Sequence, residues 1–254
     1  MTEFNGLYGN FVLQHHLLII ISGPWFADWN HRLLEALFRL LPHTTSREDW
    51  FEFWITNPLI GTWFFAAFFY GFWSIDDAQQ PQRREILFRT VVAIAAACLL
   101  TLALRPWIKW PSPLRDPAFQ ALFPRYLWGG GSPNCFPSHS TLIYFTVAAG
   151  FWPLRRTLSV ALALFALISV SLTRVYLGGH YPVDVLFSCV LSLGSLAAAS
   201  QWRIPASISR WLTRRGPGTT VRDWLLFLWI FELGEGFRGT EFMEGLVHAL
   251  RHRG

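Results

Sequence analysis

An all-α membrane bundle is the fold class the sequence predicts, and three observations predict it. The chain has 254 residues, of which 52% are hydrophobic and only 15% charged, against about 25% charged in an ordinary soluble domain. Its mean hydropathy is positive, at +0.31, with 14 Trp and 23 Phe among the apolar residues. Five apolar runs are long enough to cross a bilayer core of about 30 Å, which takes ~17–25 helical residues. These features exclude a disordered chain and a typical cytosolic enzyme. The length alone allows one or two domains. The net charge of +5 comes from 20 Arg and a single Lys against 16 acids. The arginines fall between apolar runs rather than along a stripe, so nucleic acid is not an expected partner. Three cysteines, Cys98, Cys135 and Cys189, make no disulfide framework.

Taken in order, residues 10–27 are long enough to span, but His15, His16, Gly23 and Pro24 interrupt them. The segment either crosses or lies in the interface, and it lacks the basic flank and small-residue site of a cleavable signal peptide. Residues 32–41 (RLLEALFRLL) carry amphipathic helix spacing and read as a surface helix. The five expected crossings are 53–74, 87–104, 136–154, 157–173 and 183–201. The 157–173 run has no charge at all, and Arg89 in 87–104 is near enough to one end to snorkel. Three units follow: an N-terminal segment 1–49, a transmembrane core 50–202, and a tail 203–254. In the tail, Gly216-Pro217-Gly218 breaks an Arg-rich stretch, and 223–233 is apolar but too short to span. The tail reads as one or two interfacial helices.

Lys/Arg asymmetry in short loops sets orientation. Arg83 and Arg84, Arg155 and Arg156, and then Arg203, Arg210, Arg214 and Arg215 all fall on one side, expected to be cytoplasmic. Segments 105–135 and 174–182 then share the opposite face. Ionisable groups at membrane depth mark functional sites by default, and here they concentrate on that face. Between 117 and 222 the only acid is Asp184; between 44 and 247 the only histidines are His139 and His180; the only lysine is Lys109.

In 174–184 (RVYLGGHYPVD), Pro182 suits the first position of a helix. That start brings the Asp184 carboxylate back toward one imidazole nitrogen of His180 and leaves the other nitrogen to attack. Arg174, across a Gly-Gly turn, can grip an oxyanion with two parallel hydrogen bonds. Pro137-Ser138-His139 opens the next site segment. A helix N-terminus there favours an anion, Ser138 is a good N-cap that can also reach a phosphate oxygen, and His139 can protonate a leaving oxygen. Arg105, Lys109 and Arg115 add three cations within eleven residues. The set makes a phosphoryl-transfer site needing no metal and no cofactor.

These residues resemble the type-2 phosphatidic-acid phosphatase superfamily. Thr173-Arg174, His180 and Asp184 match the spacing of its third motif, with Thr in place of Ser. Phe136-Pro137-Ser138-His139-Ser140 is similar to its second motif, with one residue fewer between Ser and His. Lys109 to Arg115 resembles the first, one residue short and with Asp116 in place of Pro; Arg105 is an alternative for the Lys. The resemblance covers roughly residues 50–202. It implies a helical bundle in which His180 is phosphorylated, Asp184 orients it and His139 protonates the leaving group. Arg174, Ser138, Lys109, Arg115 and Arg105 would hold the phosphate. It also implies a bilayer-borne substrate such as undecaprenyl diphosphate, phosphatidate or phosphatidylglycerophosphate, and the composition points to a bacterial inner membrane with the site facing outward.

Two other readings stay open: a phosphotransferase passing the His180 phosphoryl to a lipid-linked acceptor, and an inactive phospholipid-binding protein. Cys135 reads as incidental. Trp107, Trp110 and Trp128 read as interface anchors. Adjacent His15 and His16 point to different helix faces, which argues against a metal pair.

Overall fold

The computed structural model describes residues 24–56, 64–104, 108, 110–124, 132, 134–213, 221, 223 and 225. Every regular element among them is helical. In chain order these are α1 (Pro24–Leu40), α2 (Thr45–Thr56), α3 (Phe64–Ser74), α4 (Gln80–Leu104), the short α5 (Pro117–Gln120), α6 (His139–Gly150), α7 (Arg156–Tyr176), α8 (Pro182–Gln201) and α9 (Ala206–Thr213).

Three helices, α4, α7 and α8, are long and apolar enough to cross a membrane. They match the expected runs 87–104, 157–173 and 183–201, and α4 begins seven residues earlier than expected. The 136–154 run forms only the 12-residue α6, because Pro137 precedes its start and residues 151–154 turn back toward α7. At 1.5 Å per residue it is about 18 Å long. It is nevertheless the centre of the bundle: Thr141, Leu142, Ile143, Tyr144, Thr146, Val147 and Ala148 are all buried, as expected of a helix apolar all round. Within 53–74, residues 57–63 lie outside the described ones, between α2 and the 11-residue α3. Residues 10–23 of the first candidate crossing, and all of 223–233 except Asp223 and Leu225, also lie outside them.

The long helices are patterned inside out. Leu99, Leu102, Val160, Leu164, Leu186 and Val190 are exposed, whereas α8 turns Asp184, Ser188 and Ser192 inward. These fall at i, i+4 and i+8, one helical stripe. Ser188 and Ser192 donate to the carbonyls of Ser138 and Leu142, both at 3.0 Å. Small polar residues let helices approach closely where lipid offers no hydrophobic drive between them. Gly150 does the same for α6 and α4: a Cβ there would overlap the Thr90 side chain.

The 32–41 helix is real and extends back to Pro24. Its apolar edge packs inward, Leu34 lying fully buried with Leu114, Phe119, Phe123, Val175 and Tyr181. Asn30, also fully buried, accepts the Val183 N–H at 3.3 Å and so caps the start of α8.

Candidate active site

The start of α8 follows from its sequence. Pro182 takes the first helical position, and Asp184, two residues on, reaches back to accept the Tyr181 N–H at 2.9 Å. That bond satisfies a donor that would otherwise be orphaned at the helix end. It also holds the carboxylate beneath the turn carrying His180. Gly178 makes the turn possible with φ of +70°, where a Cβ would sit 2.6 Å from Leu114 Cγ. Gly179 and His180 donate their N–H groups to the Arg174 carbonyl at 2.8 and 3.3 Å, folding the turn back onto the end of α7.

His180 Nδ1 lies 3.6 Å from Asp184 Oδ2, the proximity that the spacing predicted. The direct hydrogen bond, however, runs from Nδ1 to the Cys135 carbonyl, at 2.8 Å. The carboxylate oxygen nearest the ring is already taken by the Tyr181 N–H and by the Cys135 thiol, which donates to it at 3.2 Å. Asp184 Oδ1 is buried and receives no hydrogen bond among the described residues. Cys135 is therefore not incidental: its carbonyl and its thiol hold the two members of the His–Asp pair. Burial, and secondarily the Asp184 charge, push that thiol far above its ordinary pKa. It is a hydrogen-bond donor rather than a nucleophile.

Cys135 Sγ, His180 Nδ1 and an Asp184 carboxylate oxygen lie within 4.8 Å of one another, so the trio is the place to ask about a metal. A ligating sulfur is a thiolate and a ligating imidazole nitrogen is deprotonated. Here the thiol donates to the carboxylate and Nδ1 donates to a carbonyl, so the trio as it stands is a hydrogen-bond network.

The loop bearing Cys135 is tied across to 108–114. Cys135 N–H donates to the Trp110 carbonyl at 2.8 Å, Ser112 N–H to Ser132 at 3.0 Å, and the Asn134 amide to Ile108 at 2.7 Å. Arg115 sits exposed in the turn that follows. The neighbouring Leu114 N–H meets the Gly178 carbonyl at 3.4 Å, so the structure does bring the Arg115 turn to the His180 turn. Asp116, standing where the resembling family has Pro, caps α5 through the Ala118 N–H and accepts the Tyr181 hydroxyl at 3.0 Å. Burial, then the charge of Asp116, pushes that hydroxyl's pKa up.

Ser138 occupies the N-cap position of α6, but its hydroxyl makes no cap bond. It is fully buried and shares a hydrogen bond with Thr141, which continues to Ser171. This corrects the expected capping role: the adjoining Thr141–Ser171 pair draws the side chain inward. His139 opens α6 and is half-buried. Arg174, half-buried, sits in the last turn of α7, just after the π-helical stretch Ala166–Leu172. Arg105 and Lys109 lie outside the described residues. Of the supporting residues, sequence reasoning passed over Tyr181 and Asn30, left Cys135 as incidental, and named Asp116 only as a departure from the resembling family. Only Tyr181, beside a helix-starting Pro, carried a local signal.

Among known proteins, the family model of the PAP2 superfamily matches residues 86–207. No curated protein and no solved structure matches the chain.

Proposed function

Because this chain belongs, through residues 86–207, to the PAP2 superfamily, whose members are phosphatases, we propose that it is an integral membrane lipid phosphatase working through a phosphohistidine at His180. The observation that carries this reading is the 2.8 Å bond from His180 Nδ1 to the Cys135 carbonyl. A carbonyl only accepts, so Nδ1 bears the proton and Nε2 keeps its lone pair. Nε2 attacks phosphorus, the bond from phosphorus to the lipid oxygen breaks, and His139 delivers the proton to that oxygen. Water then attacks the phosphohistidine, returns a proton to His139 and releases phosphate. The ring gains positive charge as its bond to phosphorus forms. A carboxylate 3.6 Å away stabilises that charge by roughly 5 kcal/mol at an effective dielectric constant of about 20. Arg174, Lys109, Arg115 and Arg105 neutralise the phosphate oxygens in this scheme; the Ser138 hydroxyl, buried against Thr141, would reach a phosphate oxygen only by turning away from that partner.

The substrate is an isoprenoid diphosphate or a glycerophospholipid phosphate. The Arg83, Arg155 and Arg203 ends of the helices face the cytoplasm in this reading, with five or six crossings and the His180 end outside. The test is phosphate release by purified protein from undecaprenyl diphosphate and phosphatidate, with chelator present and His180→Ala as control. Chelator-resistant release that falls at least ~10³-fold in the variant is the expected result. No release from either lipid by folded protein, or release that His180→Ala retains, overturns the reading.

A further inference from the structure

The helices that carry the candidate site at one end line an open cavity of about 550 Å³ at the other. Its walls are Phe145 and Ala149 of α6, Ala163 of α7, and Leu193, Leu196 and Ala197 of α8. Along α8, Leu193 is nine residues beyond Asp184 and Ser200 sixteen, which places the cavity about 13–24 Å from the catalytic turn. The volume is in the range of a small-molecule site, and such sites form between the helices of bundles.

One charge enters this apolar space. Arg89 stands nine residues into α4, about 13 Å from its start, and lines the cavity with Ser159 and Ser200. One guanidinium nitrogen makes a long 3.4 Å contact to the Ser200 carbonyl. Its Nε is buried with no hydrogen-bond acceptor among the described residues. A guanidinium carries five donors and no acceptor, so the buried Nε is left for an incoming acceptor, close to the end of the apolar run where a lipid head group lies. Next to the same ends of α7 and α8, Arg155, Arg156 and Arg203 are exposed, and Arg156 lies 5.5 Å over the ring of Trp152, a lining residue of the cavity. The acid nearest in sequence, Glu85, already accepts the Ser209 hydroxyl at 2.7 Å. The exposed Val160 and Leu193 carry the lining out to the apolar faces of α7 and α8, so an occupant arrives from the bilayer.

We propose that this cavity is a binding site for one anionic phospholipid, an acyl chain filling the apolar part and the phosphate meeting Arg89. Basic pockets between membrane helices recognise anionic head groups in this way. The site is distinct from the catalytic one and does not depend on the phosphatase reading.

The test measures lipid retention rather than turnover. Full-length protein carrying His180→Ala and Arg174→Ala, which removes holding at the catalytic end, is delipidated in detergent. It is then offered phosphatidylglycerol and phosphatidylcholine at equal mole fraction and examined by native mass spectrometry. The expected result is one phosphatidylglycerol per chain with about tenfold preference over phosphatidylcholine, lost on Arg89→Gln. Ala197→Phe, which fills the cavity, is expected to lose the lipid with Arg89 intact. If Ala197→Phe does not fold, the head-group comparison and Arg89→Gln decide alone. Equal retention of the two lipids, or a preference unchanged by Arg89→Gln, overturns the proposal.

Discussion

At the scale of single residues, the hydrogen bonds around His180 divide the work between a carbonyl and a carboxylate. The Cys135 carbonyl fixes which nitrogen holds the proton, and Asp184 supplies charge at 3.6 Å. Asp184→Asn is expected to lower kcat by about 10²–10³-fold, since each 1.36 kcal/mol of lost stabilisation is tenfold. A kcat within threefold of the parent would show that the carboxylate serves only to start α8. His139→Ala is expected to cost about 10²–10⁴-fold on a lipid substrate and far less on p-nitrophenyl phosphate, whose leaving group needs no proton. Equal losses on both would remove His139 from the acid role. Cys135→Ser keeps a donor toward Asp184 and should retain most activity. Cys135→Val leaves the carboxylate with the Tyr181 N–H alone and should lose more; steady-state kinetics of the two variants side by side check the order.

At the scale of elements, three junctions hold the site. The π-helical stretch Ala166–Leu172 turns the end of α7, and π-helical turns are frequent at functional sites. Within it the Ser171 hydroxyl reaches the Ala166 carbonyl five residues back, at 3.2 Å. Removing the exposed Ile168 would rotate Arg174 by about one residue's share of a turn, roughly 100°. Protein that still assembles but binds phosphate or vanadate at least tenfold more weakly is the expected outcome. The second junction is Gly178, whose positive φ and contact with Leu114 leave no room for a side chain.

The third is the packing of His43 between Phe38 and Tyr176, with ring centroids at 4.4 and 4.5 Å. Burial lowers the His43 pKa below the ordinary 6.5, against the opposing pull of Glu48. The unfolded chain therefore binds the proton first. Stability that His43 permits above pH 6.5 is lost as pH falls through that value toward the lower folded pKa. The thermal midpoint is expected to drop between pH 7 and 5, and His43→Gln to flatten that drop. An unchanged slope would assign the loss to other groups.

Over the whole molecule, the end opposite the catalytic turn is locked by buried arginines. Arg84 donates to the Trp73 and Leu212 carbonyls at 3.2 and 3.0 Å and lies 3.6 Å from Asp223. Asp223 also accepts the Trp73 indole N–H at 3.0 Å. One guanidinium thus joins α3, α4, α9 and the tail. Breaking a buried pair of this kind costs about 3–5 kcal/mol, so Arg84→Leu should lower the thermal midpoint sharply while leaving the KM of surviving protein unchanged. Arg83 and Arg84, expected as orientation signals, are buried and bind the chain together as well. Polarity is thus built into the bundle: buried, cross-linking arginines at one end, the His–Asp pair at the other.

Much of this was legible in the sequence, because the relevant physics is local. Run length and hydropathy alone determined the all-α class and the positions of α4, α7 and α8, since a bilayer demands helices whose backbone bonds close within the segment. Pro182 and the four-residue step from His180 to Asp184 determined their proximity, because a proline-started helix brings its third residue back over its cap. What depends on chains meeting from far apart was not legible. Cys135 reaches Asp184 across 49 positions, Asn30 caps α8 across 153, and Arg84 meets Leu212 across 128; no periodicity encodes such pairings. Apolar content alone did not show where the 136–154 helix stops: Pro137 and the 151–154 turn confine it to the 12-residue α6. Only the packing of α4, α7 and α8 around α6 decided that its faces are buried in protein rather than in lipid, and only the meeting of distant segments set the Cys135 carbonyl, rather than the carboxylate, on His180 Nδ1.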